Sequence, residues 1–185
     1  MDRPVSPVQI VLLRGINLGA RNRVAMPALR DALTDAGFDD VRTYLQSGNV
    51  VLSSGLSAAK LADKCSRLIK KQFGLDIDVV VRTRNQLAKV VELDPLGDVA
   101  SNPKRYQVSF LDGKLPREML KRLEAAAVES ERFVVRGREV YAWHPAGVAR
   151  SKLWALLAGR GLQVTATSRN WTTVTKLLEL ADEDA

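Results

Sequence analysis

Apolar residues along the first half of the chain follow two periods, and the order of these stretches predicts its fold. A short run rich in Val and Ile at residues 8–13 is typical of a buried strand. Met26, Leu29 and Leu33 repeat at helical spacing and predict a helix that stops at Gly37. Further along, the pattern predicts a hairpin at 41–45 and 50–52, a helix capped by Ser57 and ending near Gly74, a strand at 77–81 and a short extra helix around Leu87 and Val90.

The second half repeats this order of elements. A strand at 106–111 is followed by a helix that starts at Pro116, and apolar residues at 133–135 and 140–143 predict a hairpin. A helix at 152–157, a weak strand at 162–166 and a closing helix at 170–180 complete the half. Each half therefore reads β-α-β-β-α-β, the order of a ferredoxin-like unit.

Local sequence echoes support an internal duplication. The segment 9–15 resembles 107–113, and Thr83-Arg84-Asn85 resembles Ser168-Arg169-Asn170. We therefore expect the two halves to superpose with Leu12 on Phe110, Gly48 on Gly137, and the helix at Asn85 on the helix at Asn170. The predicted fold class is α+β, with tandem ferredoxin-like units and antiparallel sheets.

Breaker residues divide the two halves. Pro95, Gly97 and Pro103 lie in a stretch without a hydrophobic period, which is typical of a linker. The predicted boundaries are residues 1–94 for the first unit, 95–104 for the linker and 105–185 for the second unit with its closing helix.

Composition and charge exclude some classes of protein, but they do not identify a particular ligand or reaction. The chain has 185 residues, 28 Lys and Arg against 21 Asp and Glu, and a net charge of +7 that is spread over both halves. Such a charge favours anionic partners in general, but it is not the dense basic stripe of a nucleic-acid-binding tail. The polar N-terminal residues 1–4 and the short apolar run after them predict neither a signal peptide nor a membrane span. We expect a soluble cytoplasmic protein; the oligomeric state is left open.

Four short motifs resemble one protein family. They are Leu12-Leu13-Arg14-Gly15-Ile16-Asn17, Tyr44-Leu45-Gln46-Ser47-Gly48-Asn49-Val50, Arg150-Ser151-Lys152-Leu153, and the stretch from Ser168 to Leu177. In this order they are similar to the bacterial domain-of-unknown-function family numbered 1697. Two departures are Ala20, where the family often has a second glycine, and Ser168, where it often has Thr or Arg. The resemblance implies no activity and no catalytic residues.

One edge of the first predicted sheet collects polar residues. The loop after the first strand, the start of the first helix and the hairpin turn should meet there, because the first two strands of the unit run parallel. The candidate ligand-binding residues at this edge are Arg14, Asn17, Arg21, Asn22, Gln46, Ser47 and Asn49. Arginines and free helix N–H groups would attract a phosphate or carboxylate. The alternative is that the asparagines hydrogen-bond their own loop and that Ser47-Gly48-Asn49 is only a turn.

The second half adds two further candidate ligand-binding residues, Lys152 and Arg169. The alternative roles there are structural, since Ser151 and Asn170 are both well placed to cap helices. His144 and Cys65 are single residues of their type, so the sequence predicts no metal site and no cofactor, and Cys65 is expected in the core.

Three functions are compatible with these observations. The leading hypothesis is binding of a small anionic ligand or partner, bearing phosphate or carboxylate, at the polar edge. The first alternative is a nucleic-acid-binding module, which the alternating Tyr106, Phe110, Tyr141 and Trp143 would favour if they were exposed. The second is an enzyme of unknown reaction that uses Gln46, Lys152 and Arg169 together, so whether the protein is an enzyme is left open.

Overall fold

The structure, a computed structural model, describes residues 6–183, so the polar N-terminal residues 1–4 discussed above lie outside the described part. Backbone contacts divide the chain into two units. One holds the chain up to Ala88 together with the segment from Lys176 onward, and the other holds Lys89–Thr175. None of the described helices is long and apolar enough to cross a membrane.

The first half of the chain forms the predicted elements in the predicted order. They are β1 (Val8–Leu13), α1 (Met26–Asp35), β2 (Asp39–Tyr44), β3 (Asn49–Ser53), α2 (Ala58–Phe73), β4 (Val79–Thr83) and α3 (Arg84–Leu93). Neighbouring strands are antiparallel and stand in the order β2-β3-β1-β4.

The second half repeats this arrangement. Its elements are β5 (Tyr106–Leu111), α4 (Arg117–Ala126), β6 (Arg132–Arg136), β7 (Glu139–Trp143), α5 (Lys152–Ala158), β8 (Ala166–Asn170) and α6 (Trp171–Asp182). The sheet order is β6-β7-β5-β8, again antiparallel throughout. The prediction of an α+β fold with tandem ferredoxin-like units is confirmed.

One face of the first sheet carries its hydrophobic core. Alternate residues of β1 and β3, such as Val11 and Val50, contact the apolar sides of α1 and α2. Ser57 caps α2 through its hydroxyl, and Gly74 ends it with a left-handed backbone, both as predicted. Cys65 is in this core, where burial raises the pKa of its thiol to about 12.

The second core has the same plan. Met119 and Leu123 of α4, together with Leu153 and Leu157 of α5, pack on Leu111 and its neighbours in the sheet. The hydroxyl of Ser151 accepts the N–H of Trp154 at 2.9 Å, so the predicted cap of α5 is confirmed.

Strand pairing shows which residues of the two halves are equivalent. Leu12 pairs with Asn49 and Val80, and Phe110 pairs with Glu139 and Thr167, so Leu12 corresponds to Phe110 as expected. Gly48 does not correspond to Gly137, because its carbonyl accepts from Leu13 where the carbonyl of Arg138 accepts from Leu111. The predicted match of the two glycines is wrong by one residue.

The helix at Asn85 corresponds to the helix at Asn170 as expected, because α3 and α6 each begin directly after the equivalent strand. The residue-by-residue match of Thr83-Arg84-Asn85 with Ser168-Arg169-Asn170 is wrong by two residues. Gln9 pairs with Thr83 and Gln107 with Asn170, so Thr83 rather than Asn85 is the counterpart of Asn170. The buried Arg82 is then the counterpart of the buried Arg169. Similar residue types do not reveal the strand register, because the register is defined by the backbone hydrogen bonds between strands.

Both fourth strands begin later than predicted. The strand expected at 162–166 is β8 at Ala166–Asn170, and the strand expected at 77–81 is β4 at Val79–Thr83. Leu162 and Ile77 do lie in the cores, but they belong to the connections that lead into the strands. The hydrophobic pattern predicted that these residues are buried, but it did not predict which residues form the strand. The strand β8 is largely polar and is paired through its backbone.

Candidate functional site

The two polar segments of the first unit meet at one edge of its sheet. The side-chain amide of Asn17 donates to the carbonyl of Gln46 at 2.7 Å, and the N–H of Leu13 donates to the carbonyl of Gly48 at 2.8 Å. We call the loop 14–25 and the turn 45–48, together with Asn49, the polar edge. The structure thus brings together all seven candidate residues of the first half.

Close packing fixes the turn against the loop. A Cβ on Gly48 would lie 2.6 Å from Cβ of Leu13 and 2.9 Å from Cδ1 of Ile16, and the φ of Gly48 is +81°. Ile16 is itself buried in the core of the unit. Glycine is required at this position because both the space and the backbone conformation exclude a side chain.

Asn17 and Asn22 are used inside the loop. The amide nitrogen of Asn17 donates to the carbonyl of Val24 at 2.8 Å, and its oxygen accepts the N–H of Val24 at 2.9 Å. Asn22 donates to the carbonyl of Gly15 at 3.0 Å, and both asparagines have positive φ. Their amides therefore hold the loop in shape, which was the alternative interpretation from the sequence.

Asn49 and Ser47 hold the turn in the same way. The fully buried Asn49 donates to the carbonyl of Tyr44 and to the hydroxyl of Ser47, each at 2.9 Å. These bonds satisfy polar groups that would otherwise be buried without a partner. These two side chains therefore hold the backbone of the turn that carries Gln46.

Arg14 is tied to the strand beside the loop. One guanidinium nitrogen lies 3.3 Å from a carboxylate oxygen of Asp78, and 13% of the side chain is exposed. Its backbone N–H also donates to the carbonyl of Asp78. Arg14 therefore orients the start of the loop. The negative charge of Asp78 weakens the attraction between Arg14 and an anion at this edge.

Other groups at the polar edge are free to meet a ligand. Arg21, Arg23 and Gln46 are exposed, and their side chains make no hydrogen bond or ion pair within residues 6–183. Helix α1 starts here with Ala25 as a cap that offers no side-chain acceptor, and its first turn holds no acidic residue. The edge therefore presents two free cations beside a helix start whose polarity favours an anion.

Lys152 and Arg169 belong to the second unit. Lys152 is exposed at the first position of α5. Arg169 is buried in β8, where it donates to the hydroxyl of Thr167 at 2.8 Å and to the carbonyl of Ser168 at 2.9 Å. Burial lowers the pKa of its guanidinium to about 10.

The aromatic residues that motivated the nucleic-acid hypothesis are buried. Tyr106, Phe110 and Tyr141 are each at most 1% exposed, and Trp143 is 8% exposed. Tyr106 stacks on Trp171 with ring centroids 4.7 Å apart, and Tyr141 donates to the carbonyl of Val90. These rings pack inside the protein and leave no surface on which a base could stack.

The structure also shows a buried polar cluster that the sequence did not predict. A carboxylate oxygen of Glu131 lies 2.7 Å from Nδ1 of His144 and accepts the hydroxyl of Ser151 at 2.5 Å. The three residues are separated by 7 to 20 positions in the chain, and no motif joins them. Ser151 was recognised only as a helix cap and His144 only as a single histidine.

This cluster does not have the connectivity of a hydrolytic triad. In a triad the imidazole lies between serine and carboxylate, and one ring nitrogen serves each of them. Here a single nitrogen, Nδ1 of His144, lies 2.7 Å from Glu131 and 3.3 Å from Oγ of Ser151, and Nε2 of His144 is buried without a hydrogen-bond partner in the described part of the chain. Among residues 6–183, no group of three or more His, Cys, Asp or Glu could hold a metal ion.

The fold and the polar edge define a tandem ferredoxin-like protein whose first unit carries a basic loop region. The chain belongs to the DUF1697 family, described as "Protein of unknown function", whose sequence model matches residues 7–141. Among solved structures, the conserved bacterial protein SP0830 from Streptococcus pneumoniae is similar, with a TM-score of 0.78 and 21% identity. That match covers 95% of this chain and 98% of the other, and it shows the fold alone. No curated protein matches the chain.

Proposed function

We propose that the protein binds a small anionic ligand, bearing a phosphate or carboxylate group, at the polar edge. The observation that carries this proposal is the pair of free arginines, Arg21 and Arg23, on the loop that leads into the uncapped start of α1. Two guanidinium groups and the N-terminus of a helix all attract an anion.

The residues of the polar edge divide into two roles in this proposal. Arg21, Arg23 and the amide of Gln46 contact the ligand, because their side chains are exposed and without partners in the described residues. The other candidates at the edge hold the two segments in position: Arg14, Asn17, Asn22, Ser47 and Asn49. A ligand therefore meets a prearranged surface, which reduces the entropy lost on binding.

A thermal-shift titration with inorganic phosphate, citrate and adenosine monophosphate tests the proposal. A ligand that binds only the folded protein raises the melting temperature as its concentration passes the Kd. We expect at least one probe to stabilise the protein, and the double variant R21A/R23A to weaken that probe by about a hundredfold, from roughly 1.5 kcal/mol for each charged hydrogen bond.

The matched control is R117A/K121A, which removes the same charge from exposed positions of α4 whose side chains make no hydrogen bond or ion pair in the described residues. It should bind the probe like the wild type. Equal weakening in both double variants would mean that net charge and not the polar edge attracts the anion, and absence of stabilisation by every probe would reject the site.

The net charge of +7 still favours the nucleic-acid alternative, but the aromatic side chains that also suggested it are buried. Single-stranded RNA nevertheless belongs in the titration. Strongly salt-dependent binding of RNA, lost in R21A/R23A while the small anions have no effect, would replace the small ligand with a nucleic acid at the same edge.

A further inference from the structure

The second unit contains a pocket that is lined by two residues of the buried polar cluster, Glu131 and Ser151. The pocket has a volume of about 360 Å³ and lies where the segment before β6 meets the loop between β7 and α5. Its lining also includes the small residues Ala146 and Ala149, together with Val128 and Arg150. Pockets of this size accommodate small organic molecules.

The lining of the pocket carries a buried carboxylate. Glu131 is 7% exposed; one of its oxygens accepts from His144 and Ser151, and the other accepts the N–H of Val128 at 3.2 Å. Burial raises the pKa of Glu131, but the hydrogen bonds from Ser151, His144 and Val128 outweigh it, and the net pKa is lowered. The carboxyl group is therefore ionised at neutral pH.

This negative charge lacks a permanent positive partner. Within residues 6–183, the only ionisable group paired with Glu131 is His144, and an imidazole is charged only when it is protonated. A carboxylate has about four acceptor positions, and three are used here. A buried charge is stabilised by a cation that approaches its remaining acceptor position, and the pocket is where such a cation can enter.

A positively charged residue, Arg150, lines the same pocket as Glu131. Arg150 is exposed and makes no hydrogen bond or ion pair with any described residue. Ala146 and Ala149 line the same pocket, and their small side chains take up little of its volume. A ligand with a positive and a negative end would satisfy both groups at once.

We propose that this pocket binds a small zwitterion, with a primary ammonium group at Glu131 and a carboxylate or phosphate group at Arg150. The site is separate from the polar edge and does not depend on the function proposed for it. Free amino acids and ω-amino acids are the chemical class that fits both charges.

Titration of the purified full chain with γ-aminobutyrate, butylamine and butyrate tests the proposal by thermal shift. γ-Aminobutyrate should raise the melting temperature, butylamine should act at least tenfold more weakly, and butyrate should have no effect. Equal stabilisation by butyrate and γ-aminobutyrate, or no stabilisation by γ-aminobutyrate, would overturn the proposal.

Four variants locate the binding. Glu131→Gln keeps the shape of the side chain and should abolish the shift, whereas Glu129→Gln, an exposed residue outside the pocket lining, should leave it unchanged. Ala149→Phe should fill the pocket and abolish the shift without disturbing the core, because Ala149 is exposed. Ala149→Phe decides the matter if Glu131→Gln does not fold, and a retained shift in Ala149→Phe would reject the pocket. The variant R21A/R23A should respond to γ-aminobutyrate like the wild type.

Discussion

The hairpin turns of the two units occupy equivalent places in two sheets of the same strand order, and they differ in the structure that they form. In the first unit, Tyr44 pairs with Asn49 and leaves residues 45–48 as the turn; in the second, Arg136 pairs with Glu139 and leaves only Gly137 and Arg138. The longer turn brings the carbonyl of Gln46 to Asn17 and packs Gly48 under Ile16. The two units share a fold, and the polar edge of the first unit arises from its longer turn and its longer loop.

The loops beside these turns differ in charge as well as in length. Arg14, whose N–H donates to the carbonyl of Asp78, has as its counterpart Asp112, whose N–H donates to the carbonyl of Thr165. The loop after β1 runs over 14–25 before α1 begins, while only 112–116 separate β5 from α4. The first unit therefore has a basic and elaborate edge where the second has a short connection with an acidic residue.

The largest expected effect is at the two hairpin glycines. Gly48→Ala would force a Cβ against Cβ of Leu13, which cannot rotate away, and would place alanine at a positive φ. We expect a loss of about 3 kcal/mol in the free energy of unfolding, measured by urea denaturation. Gly137→Ala meets no atom closer than 3.9 Å and should lose only about 1 kcal/mol, from its positive φ. Equal losses would show that the first turn is not packed on its loop.

Removal of the Asn17 amide tests what joins the loop to the turn. Asn17→Ala leaves the carbonyl of Gln46 and both backbone groups of Val24 without this partner, and should cost about 2 kcal/mol. Asn22→Ala removes one exposed bond and should cost about 0.5 kcal/mol. Amide hydrogen exchange should speed up at residues 45–48 in Asn17→Ala alone, and unchanged protection there would contradict this role.

Mutations of helix caps test whether Thr83, and not Asn85, is the counterpart of Asn170. Thr83 caps α3, where it and Gln86 accept each other's backbone N–H, and Asn170 caps α6 by accepting the N–H of Thr173. Thr83→Ala and Asn170→Ala should each cost about 1 kcal/mol in thermal or urea unfolding. Asn85→Ala should cost much less, and a large loss there would restore the match that the sequence echo had suggested.

The smallest expected effect is the pH dependence that comes from Glu131. Its pKa is lowered in the folded protein, so its contribution to stability is complete above the ordinary glutamic acid pKa and is lost as the pH falls through the lowered value. Between those two values, the stability of Glu131→Gln should fall less steeply with decreasing pH than that of the wild type. Parallel curves would mean that the hydrogen bonds of Glu131 do not favour its charged form.

Much of the fold could be predicted from the sequence because local signals and burial agreed. The strands β1 and β5 have the predicted bounds, and Ser57, Gly74 and Ser151 act at helix ends as their residue types suggest. The convergence of the loop 14–25 with the turn 45–48 could also be predicted, because strand order alone brings these segments to one edge. Periodicity, capping chemistry and topology are properties of short segments and their sequence order.

Tertiary structure decided the roles of the polar residues. From the sequence, Arg14 and Arg21 were equivalent cations, but Asp78 pairs with the first and no described residue pairs with the second. Glu131, His144 and Ser151 could not be linked in advance, because they belong to no motif and only the packing of the segments next to β6, β7 and α5 brings them together. The register that makes Arg82 the counterpart of Arg169 likewise depends on backbone hydrogen bonds between strands. A sequence carries the propensity of each segment, whereas a charge acquires its partner, its burial and its pKa only when the segments pack.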